Sequence, residues 1–201
     1  MERKQSSFVI LGILAIHPNQ TGYEIRKTIE QSVGFFWGES YGQIYPTLKR
    51  LVADGLIVAS VSGSNTRAGR REYSTTPDGE LRLQEWIAVP YRDDPPRNEF
   101  LLKLFFGNDV APSVSISHIR RFQEKNRSML MMLLELERQS SGHGSQFPGF
   151  PFWMMTLKFG VSQLNAALEW SEAALKMLTE MEARQDSSLR ATEAVPPSGD
   201  S

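Results

Sequence analysis

The hydrophobic pattern near the start of the chain predicts two helices. A run of mostly apolar residues extends from Phe8 to Ile16, and a helix over about residues 6–16 with so little polar surface must be buried on most sides. A second helix is predicted over residues 21–32, because Thr21 and Glu24 have the spacing of a capping box. Apolar residues recur along it at helical intervals, so we expect one of its faces in the core.

A third helix is predicted to start at Ser40, where Ser40 and Gln43 repeat the capping-box spacing. Pro46 conflicts with a straight helix from that point, because proline lacks an N–H and crowds the preceding turn. We therefore expect a kink or a later start. The pair Asp54–Gly55 ends the helix. Its predicted buried stripe, at intervals of three and four residues, is Tyr41, Ile44, Tyr45, Leu48, Leu51 and Val52.

A β-hairpin with a long tip is predicted next. The strand-like segments Leu56–Ser62 and Arg71–Thr75 are separated by a polar, glycine-containing stretch, residues 63–70. The pair Thr76–Pro77 then has the character of an N-cap followed by a first-turn proline, which opens a fourth helix. The order helix, helix, turn, helix, hairpin, helix is that of a winged helix-turn-helix.

The second half of the chain is predicted to be helical. A linker rich in proline and aspartate, residues 91–98, separates an N-terminal domain, residues 1–90, from a C-terminal domain, residues 99–182. Residues 183–201 are polar, and we expect them to form a disordered tail. The predicted helical segments of the C-terminal domain are about 99–106, 117–140 and 151–182.

The last of these segments carries more apolar surface than a lone three-helix domain can cover, and a two-fold partner is the simplest way to bury it. The predicted fold class is therefore mainly α with a small β-hairpin, made of an N-terminal winged helix-turn-helix and a C-terminal helical dimerisation domain. The residues expected at the dimer interface are Leu157, Val161, Leu164, Leu168, Leu175 and Leu178.

Composition limits the function. A net charge of −1 and an isoelectric point near 6.3 exclude nucleic-acid binding by bulk charge, so a basic surface must be local. No cysteine is present, which excludes disulfides and thiolate metal sites. His17, His118 and His143 have no metal-ligand or catalytic-triad spacing, so we expect no enzyme, no metal and no cofactor. The nine-residue apolar run is far shorter than the roughly 20 residues that span a bilayer, and we expect a cytoplasmic protein without a membrane partner.

The third predicted helix has the chemistry of a DNA-reading helix. Gln43, Thr47 and Arg50 lie at i, i+4 and i+7, which aligns three hydrogen-bonding side chains over two turns. Glutamine can read adenine, threonine can contact a thymine methyl, and arginine can read guanine. The hairpin tip adds Arg67, Arg70 and Arg71, which suit phosphates or a narrow minor groove. The alternative is a winged-helix module for protein interaction that does not bind DNA.

The segment Ser40–Leu51, followed by Asp54-Gly55-Leu56-Ile57, resembles the PadR family of transcriptional regulators. The resemblance covers about residues 6–182 and extends to the branch with the larger C-terminal domain. It implies a homodimeric repressor on a palindromic double-stranded operator, released by a small aromatic or phenolic effector. It also implies DNA contacts from Tyr41, Gln43, Tyr45 and Lys49. The two tyrosines lie on the predicted core side, but a tyrosine can bury its ring and still offer its hydroxyl to a phosphate.

Two sets of predicted site residues result. The predicted DNA-binding residues are Ser40, Tyr41, Gln43, Tyr45, Thr47, Lys49, Arg50, Arg67, Arg70 and Arg71. Aromatic and methionine-rich positions can line an effector cavity, although each of them is also a normal core or interface residue. The candidate effector residues are His17, Phe36, Trp37, Trp153, Met154 and Trp170.

Overall fold

A computed structural model describes residues 2–38, 41–62, 70–91, 97–140 and 149–193. The chain divides into two compact units, Met1–Asp94 and Pro95–Ser201. No helix in the described ranges has the length and apolar character required to cross a membrane. The first unit contains α1 (Glu2–Ile16), β1 (Gln20–Thr21), α2 (Gly22–Gln31), α3 (Ile44–Ala53), β2 (Ile57–Ser62), β3 (Arg70–Thr75) and α4 (Pro77–Ala88). The second contains α5 (Glu99–Phe105), α6 (Pro112–Ser140) and α7 (Phe150–Glu193).

Helix α1 forms the centre of the first core, in agreement with its apolar sequence. Ile10, Leu11 and Leu14 are almost fully buried, and α1 contacts α2, α3, α4 and β3. The helix begins at Glu2, before the predicted start at residue 6. The other elements contribute the buried residues Ile25, Ile29, Ile44, Leu48, Leu51, Ile57 and Tyr73.

The sheet has three antiparallel strands in the order β1-β3-β2, so the predicted hairpin gains one strand. Tyr73 occupies the middle strand and pairs with Gln20 on one side and Ala59 on the other. Asn19 precedes β1 with a φ of 61°, a conformation that asparagine tolerates. Its backbone N–H donates to Ser74 Oγ at 2.9 Å, and that hydroxyl donates to Asn19 Oδ1 at 2.8 Å. These bonds hold β1 beside the hairpin.

Helix α3 starts later than Ser40, which is one of the two outcomes that Pro46 predicts. A 3₁₀ turn, Tyr41–Gln43, leads into α3 at Ile44. Pro46 therefore lies in the first turn, where backbone N–H groups have no acceptor within the helix and a missing N–H costs little. Gly55, with a φ of 70°, follows the end of the helix.

Helix α4 begins as its sequence predicts. Pro77 is its first residue, and Gly79 N–H donates to the Thr76 hydroxyl at 3.1 Å. Gly79 also packs directly against the backbone of Leu56, the residue before β2, because a Cβ at position 79 would overlap the carbonyl oxygen of Leu56. The glycine therefore sets how closely α4 lies against the core.

The second unit is built on the packing of α6 against α7. Nine residues join them, and a chain of that length spans at most about 30 Å. This is less than the length of α6, about 44 Å, so the two helices run antiparallel. Ile119 and Leu133 on α6 and Leu157 on α7 are almost fully buried.

Two predicted boundaries in this unit are wrong. Helix α6 begins at Pro112, where the sequence predicted residue 117. Helix α7 continues to Glu193, although disorder was predicted from residue 183. Eleven further residues form hydrogen-bonded helix despite their polar character, and the rest of the predicted tail, residues 194–201, lies outside the described residues.

Candidate nucleic-acid interface

Helix α3 and the 3₁₀ turn before it present a polar surface opposite the core. The buried residues of α3 are Ile44, Thr47, Leu48 and Leu51. The exposed residues of the turn and helix include Gly42, Gln43, Tyr45, Pro46, Lys49 and Arg50. This surface has the composition expected of a DNA-reading helix, since it combines an amide, a phenol and two cations with a glycine that permits close approach.

Thr47 does not belong to this surface, and the predicted row Gln43, Thr47, Arg50 is therefore wrong at its middle position. Thr47 is 2% exposed, and its neighbours in the core stripe are Ile44 and Leu48. A side chain that is closed off from solvent by its own domain cannot contact a base edge. Thr47 therefore helps to pack α3 against the core of the first unit.

Tyr45 differs from the periodicity prediction in the opposite direction, because it is 58% exposed. Its ring lies over the start of α2: a Cβ added to Gly22 would lie 2.7 Å from Tyr45 Cε1. Gly22 thus provides the space that the ring occupies. The exposed ring is consistent with the DNA contact that the family resemblance implies for Tyr45.

Arg50 is held towards α1. One of its guanidinium nitrogens, Nη2, donates to Ser7 Oγ at 2.8 Å, which links the middle of α3 to the first turns of α1. The contact orients α3 relative to the core helix.

Arg70 is the first residue of β3, at the loop end of the β2–β3 hairpin that forms the wing, and its side chain pairs with Glu24 on α2. Glu24 also closes the capping box: its Oε2 accepts from the Thr21 backbone N–H at 2.9 Å and from the Thr21 hydroxyl at 2.8 Å. These bonds from Thr21, followed by the Arg70 guanidinium, lower the pKa of the Glu24 carboxyl to about 2. We call Thr21, Glu24 and Arg70 the wing junction, because together they join the wing to the start of α2.

The wing junction shows what local sequence reasoning can and cannot find. The Thr21–Glu24 capping box is confirmed. The contact to Arg70 joins residues 46 positions apart, and no local spacing signals it. Arg70, predicted as a phosphate ligand, is engaged within its own chain, whereas Arg71 is exposed on the same strand.

Three predicted DNA-binding residues are less fully defined. Tyr41 lies in the 3₁₀ turn that precedes α3. Ser40 and Arg67 lie outside the described residues. Their assignment to DNA binding stays a prediction from the sequence.

The predicted dimer stripe is mostly turned towards the interior of the second unit. Leu157 is 1% exposed and is therefore wrong as an interface residue, because its own chain already encloses it. Val161, Leu164, Leu168, Leu175 and Leu178 are half-buried. A second stripe on α7 is exposed, and its intervals of 3, 4, 11, 7 and 4 residues are close to whole turns of a helix with 3.6 residues per turn. We call it the exposed α7 stripe: Phe152, Met155, Phe159, Trp170, Met177 and Met181.

A cavity of about 540 Å³ lies within the second unit, between α5, the turn after it, the start of α6 and the later part of α7. Leu104 and Phe105 line it from α5, Ser115 and Ile119 from α6, and Trp170 from α7. The Trp170 ring meets the stacked rings of Phe100 and Phe122 edge-on, with centroid distances of 5.9 Å to each.

Among the six candidate effector residues, Trp170 lines this cavity. Trp153 and Met154 are half-buried near the start of α7, about 25 Å along the helix from Trp170. His17, Phe36 and Trp37 belong to the first unit, where His17 and Phe36 are exposed and Trp37 is half-buried. The grouping of all six into one effector site stays a prediction.

Two family profiles match the chain, one within each of its two units. Residues 10–85 match the Transcriptional regulator PadR-like family, and residues 96–179 match the Virulence activator alpha C-term family. The first unit thus carries a domain of the PadR-like family of transcriptional regulators. The second match is that of the branch with the larger C-terminal domain. Both the family and the winged-helix fold class predicted from the sequence are confirmed.

Similar proteins span nearly the whole chain. The "Negative transcriptional regulator PadR" of Bacillus subtilis is 24% identical over 177 residues, which is 85% of this chain and 96% of that protein. Its crystal structure in complex with operator DNA superposes with a TM-score of 0.73 at 23% identity, covering 86% of this chain and 98% of that one. Its complex with p-coumaric acid gives a TM-score of 0.68 at 21% identity and covers 89% and 98%. The structure of smu.1604c from Streptococcus mutans gives 0.74 at 28% identity, covering 85% and 98%.

Proposed function

We propose that the chain is a DNA-binding transcriptional repressor that binds a palindromic operator as a homodimer and releases it when a small aromatic effector binds. It acts in the cytoplasm and carries out no catalysis. Residues 1–90 bind DNA, residues 91–98 link the domains, and residues 99–182 serve dimerisation and effector binding. The observation that carries the proposal is the exposed polar face of α3 within a winged helix-turn-helix, together with the operator complex of B. subtilis PadR.

The chemistry of that face assigns different tasks to its residues. Gln43 is exposed at the N-terminal end of α3, the end that contacts base edges in helix-turn-helix proteins, and its amide can pair with adenine in two hydrogen bonds. Tyr45 follows Gln43 by about half a turn and Lys49 follows it by nearly two turns. The Tyr45 hydroxyl and the Lys49 ammonium group both suit phosphate oxygens. The exposed Arg71 on the wing suits the same role. Base reading therefore rests on Gln43, and positioning on the others.

The proposed dimer is supported by the exposed α7 stripe, because six large hydrophobic side chains on one helix face form a surface that soluble proteins normally cover. A second copy with two-fold symmetry would cover it and bring two DNA-reading helices to paired half-sites about 34 Å apart. Effector release is supported by the p-coumaric acid complex of B. subtilis PadR, and which of the six candidate residues contact the effector stays a prediction from the sequence.

The salt dependence of DNA binding tests the proposal. Fluorescence anisotropy with the promoter of a neighbouring gene should give a logarithmic slope against salt that Lys49→Ala reduces by about 0.9, the contribution of one phosphate contact. The control is Lys125→Ala on α6, which removes an equal charge from an exposed helix of the second unit and should leave the slope unchanged. A slope near zero for the wild type would favour the protein-interaction module instead.

A further inference from the structure

We propose that Gly22 positions the Tyr45 side chain for DNA binding. Gly22 is the first residue of α2 and is buried, whereas Tyr45 is 58% exposed on the first turn of α3. The start of α2 thereby supports a ring that belongs to the DNA-reading helix. The inference rests on the proposed function, because it deepens the role given there to the Tyr45 hydroxyl.

The Tyr45 ring occupies the volume that a larger residue at position 22 would need. A Cβ at this position would lie 2.7 Å from Tyr45 Cε1, 3.1 Å from Cζ and 3.3 Å from the hydroxyl oxygen. Non-bonded carbon atoms are most stable about 3.5–4.0 Å apart, so both carbon distances are too short. The edge of the ring that carries the hydroxyl therefore lies against the backbone of Gly22.

The backbone conformation does not account for a glycine at this position. Gly22 lies within the helix α2, and among the glycines of the described ranges only Gly55 has a positive φ. Alanine is the better helix former, because glycine loses more conformational freedom on folding. The glycine therefore costs helix stability, and the space that it leaves for the Tyr45 ring is the feature that accounts for it.

The contact prepares the Tyr45 hydroxyl for a phosphate. An exposed tyrosine can rotate about its two side-chain torsions, and ordering it on binding costs conformational entropy. Packing against Gly22 limits these rotations before DNA binds. The hydroxyl is then held where α2 and α3 meet, ready to donate to a phosphate oxygen. Gly22 thus raises the affinity without contacting DNA itself.

The substitution Gly22→Ala can displace the ring without disturbing the wing junction. The junction is held by bonds among Thr21, Glu24 and Arg70, and they remain when a methyl group is added at position 22. The atoms that this methyl group would overlap belong to the far end of the Tyr45 side chain. The ring can therefore move away while the backbone of α2 stays in place.

Anisotropy titrations of the full-length chain with the promoter of a neighbouring gene test the inference. Gly22→Ala and Tyr45→Phe should each weaken binding by about tenfold, the lower end of what a hydrogen bond to a charged group contributes. The two changes combined should weaken it no further. The salt slope should stay that of the wild type, because a neutral hydroxyl displaces no counterion. A shift of the whole of α3 would instead lower the slope through the loss of Lys49.

The matched control is Gly12→Ala, which adds the same methyl group in α1, where the added Cβ has no atom within 4 Å. It should leave DNA binding unchanged. A measurement without DNA tests the contact itself: NMR of the free chain should show a nuclear Overhauser effect between Gly22 Hα and the Tyr45 ring protons. If Gly22→Ala does not fold, adding Tyr45→Ala should restore folding, because it removes the overlap.

Four results would overturn the inference. They are wild-type DNA affinity in Gly22→Ala, a lower salt slope in that variant, no Overhauser effect between the two residues, and an unfolded Gly22→Ala that Tyr45→Ala does not restore. A wild-type chain that binds no promoter DNA would refute the proposed function and the role of Gly22 with it. A wild-type chain that binds DNA and a Gly22→Ala variant that binds it equally well would refute the role of Gly22 alone.

Discussion

The opposite placements of Gln43 and Thr47 lead to a pair of substitutions with opposite consequences. Gln43 is exposed on the DNA-reading face, whereas Thr47 is 2% exposed and packs in the core stripe of α3. Gln43→Ala should therefore weaken operator binding. Thr47→Val keeps the shape of the buried side chain and should leave operator binding unchanged.

The expected magnitudes separate the two variants clearly. A bidentate glutamine–adenine contact contributes about 1–3 kcal/mol of base discrimination, so Gln43→Ala should weaken operator binding by about 5- to 150-fold. The loss on random DNA should be much smaller, because phosphate contacts remain. Thr47→Val removes one buried hydroxyl, which should cost about 0.5–1.5 kcal/mol of folding free energy and no discrimination.

Anisotropy titrations with operator and scrambled duplexes, together with urea unfolding of each variant, measure both quantities. The double variant should lose the operator affinity of Gln43→Ala and the folding stability of Thr47→Val, because the two effects are independent. The reasoning fails if Thr47→Val, still folded, loses operator affinity to the same extent as Gln43→Ala. In that case Thr47 contacts DNA, and the orientation of α3 is wrong.

Three other changes test the packing that holds this surface. The pKa of Glu24 is about 2, below the ordinary value of 4.5, so its contribution to stability is complete above about pH 4.5 and disappears as the pH falls towards 2. Denaturation curves between pH 6 and 2 should show a shallower decline for Glu24→Gln than for the wild type. Gly79→Ala should lower the unfolding free energy because its Cβ overlaps the Leu56 carbonyl oxygen. Gly12→Ala, a helix-interior glycine with no atom within 4 Å of the added Cβ, should instead raise it by about 0.5–1 kcal/mol.

Sequence reasoning predicts the parts of this fold that depend on neighbours along the chain. Local hydrogen bonding predicts the capping box of Thr21 and Glu24 and the cap of α4 at Thr76. Local sterics predict the late start of α3, which places Pro46 in the first turn of the helix. Strand β1 is missed because two residues carry no alternation that a pattern search can detect. The Arg70–Glu24 pair is missed because only the folded chain brings the wing to α2.

The orientation of α3 could be predicted only in part. Ile44, Leu48 and Leu51 are buried as expected, since a purely apolar side chain is stable only on the side of the helix that faces the core. Tyrosine and threonine have both polar and apolar atoms, so hydrophobic periodicity does not decide between core and surface for Tyr45 and Thr47. The 3₁₀ turn before α3 adds to the ambiguity, because its residues do not follow the rotation of 100° per residue that the periodicity assumes.

The same ambiguity affected α7, where two hydrophobic stripes lie side by side. The branched residues expected at the dimer interface, such as Leu164 and Leu168, are half-buried in their own unit. A charge at either position should therefore destabilise the packing of α7 on α6 as well as assembly. A clean test of the dimer has to use a residue from the exposed α7 stripe.

Phe159 meets that requirement, because it is 61% exposed in the single chain. Complete burial of a phenylalanine is worth about 1.5–3 kcal/mol, so covering this fraction in both copies contributes about 2–4 kcal/mol per dimer. Phe159→Glu should therefore raise the dimer dissociation constant by about 30- to 700-fold, while urea unfolding of the monomer changes little. Asn165→Glu adds the same charge on the polar side of α7 and serves as control. Sedimentation equilibrium that finds Phe159→Glu as dimeric as the wild type would exclude the exposed α7 stripe from the interface.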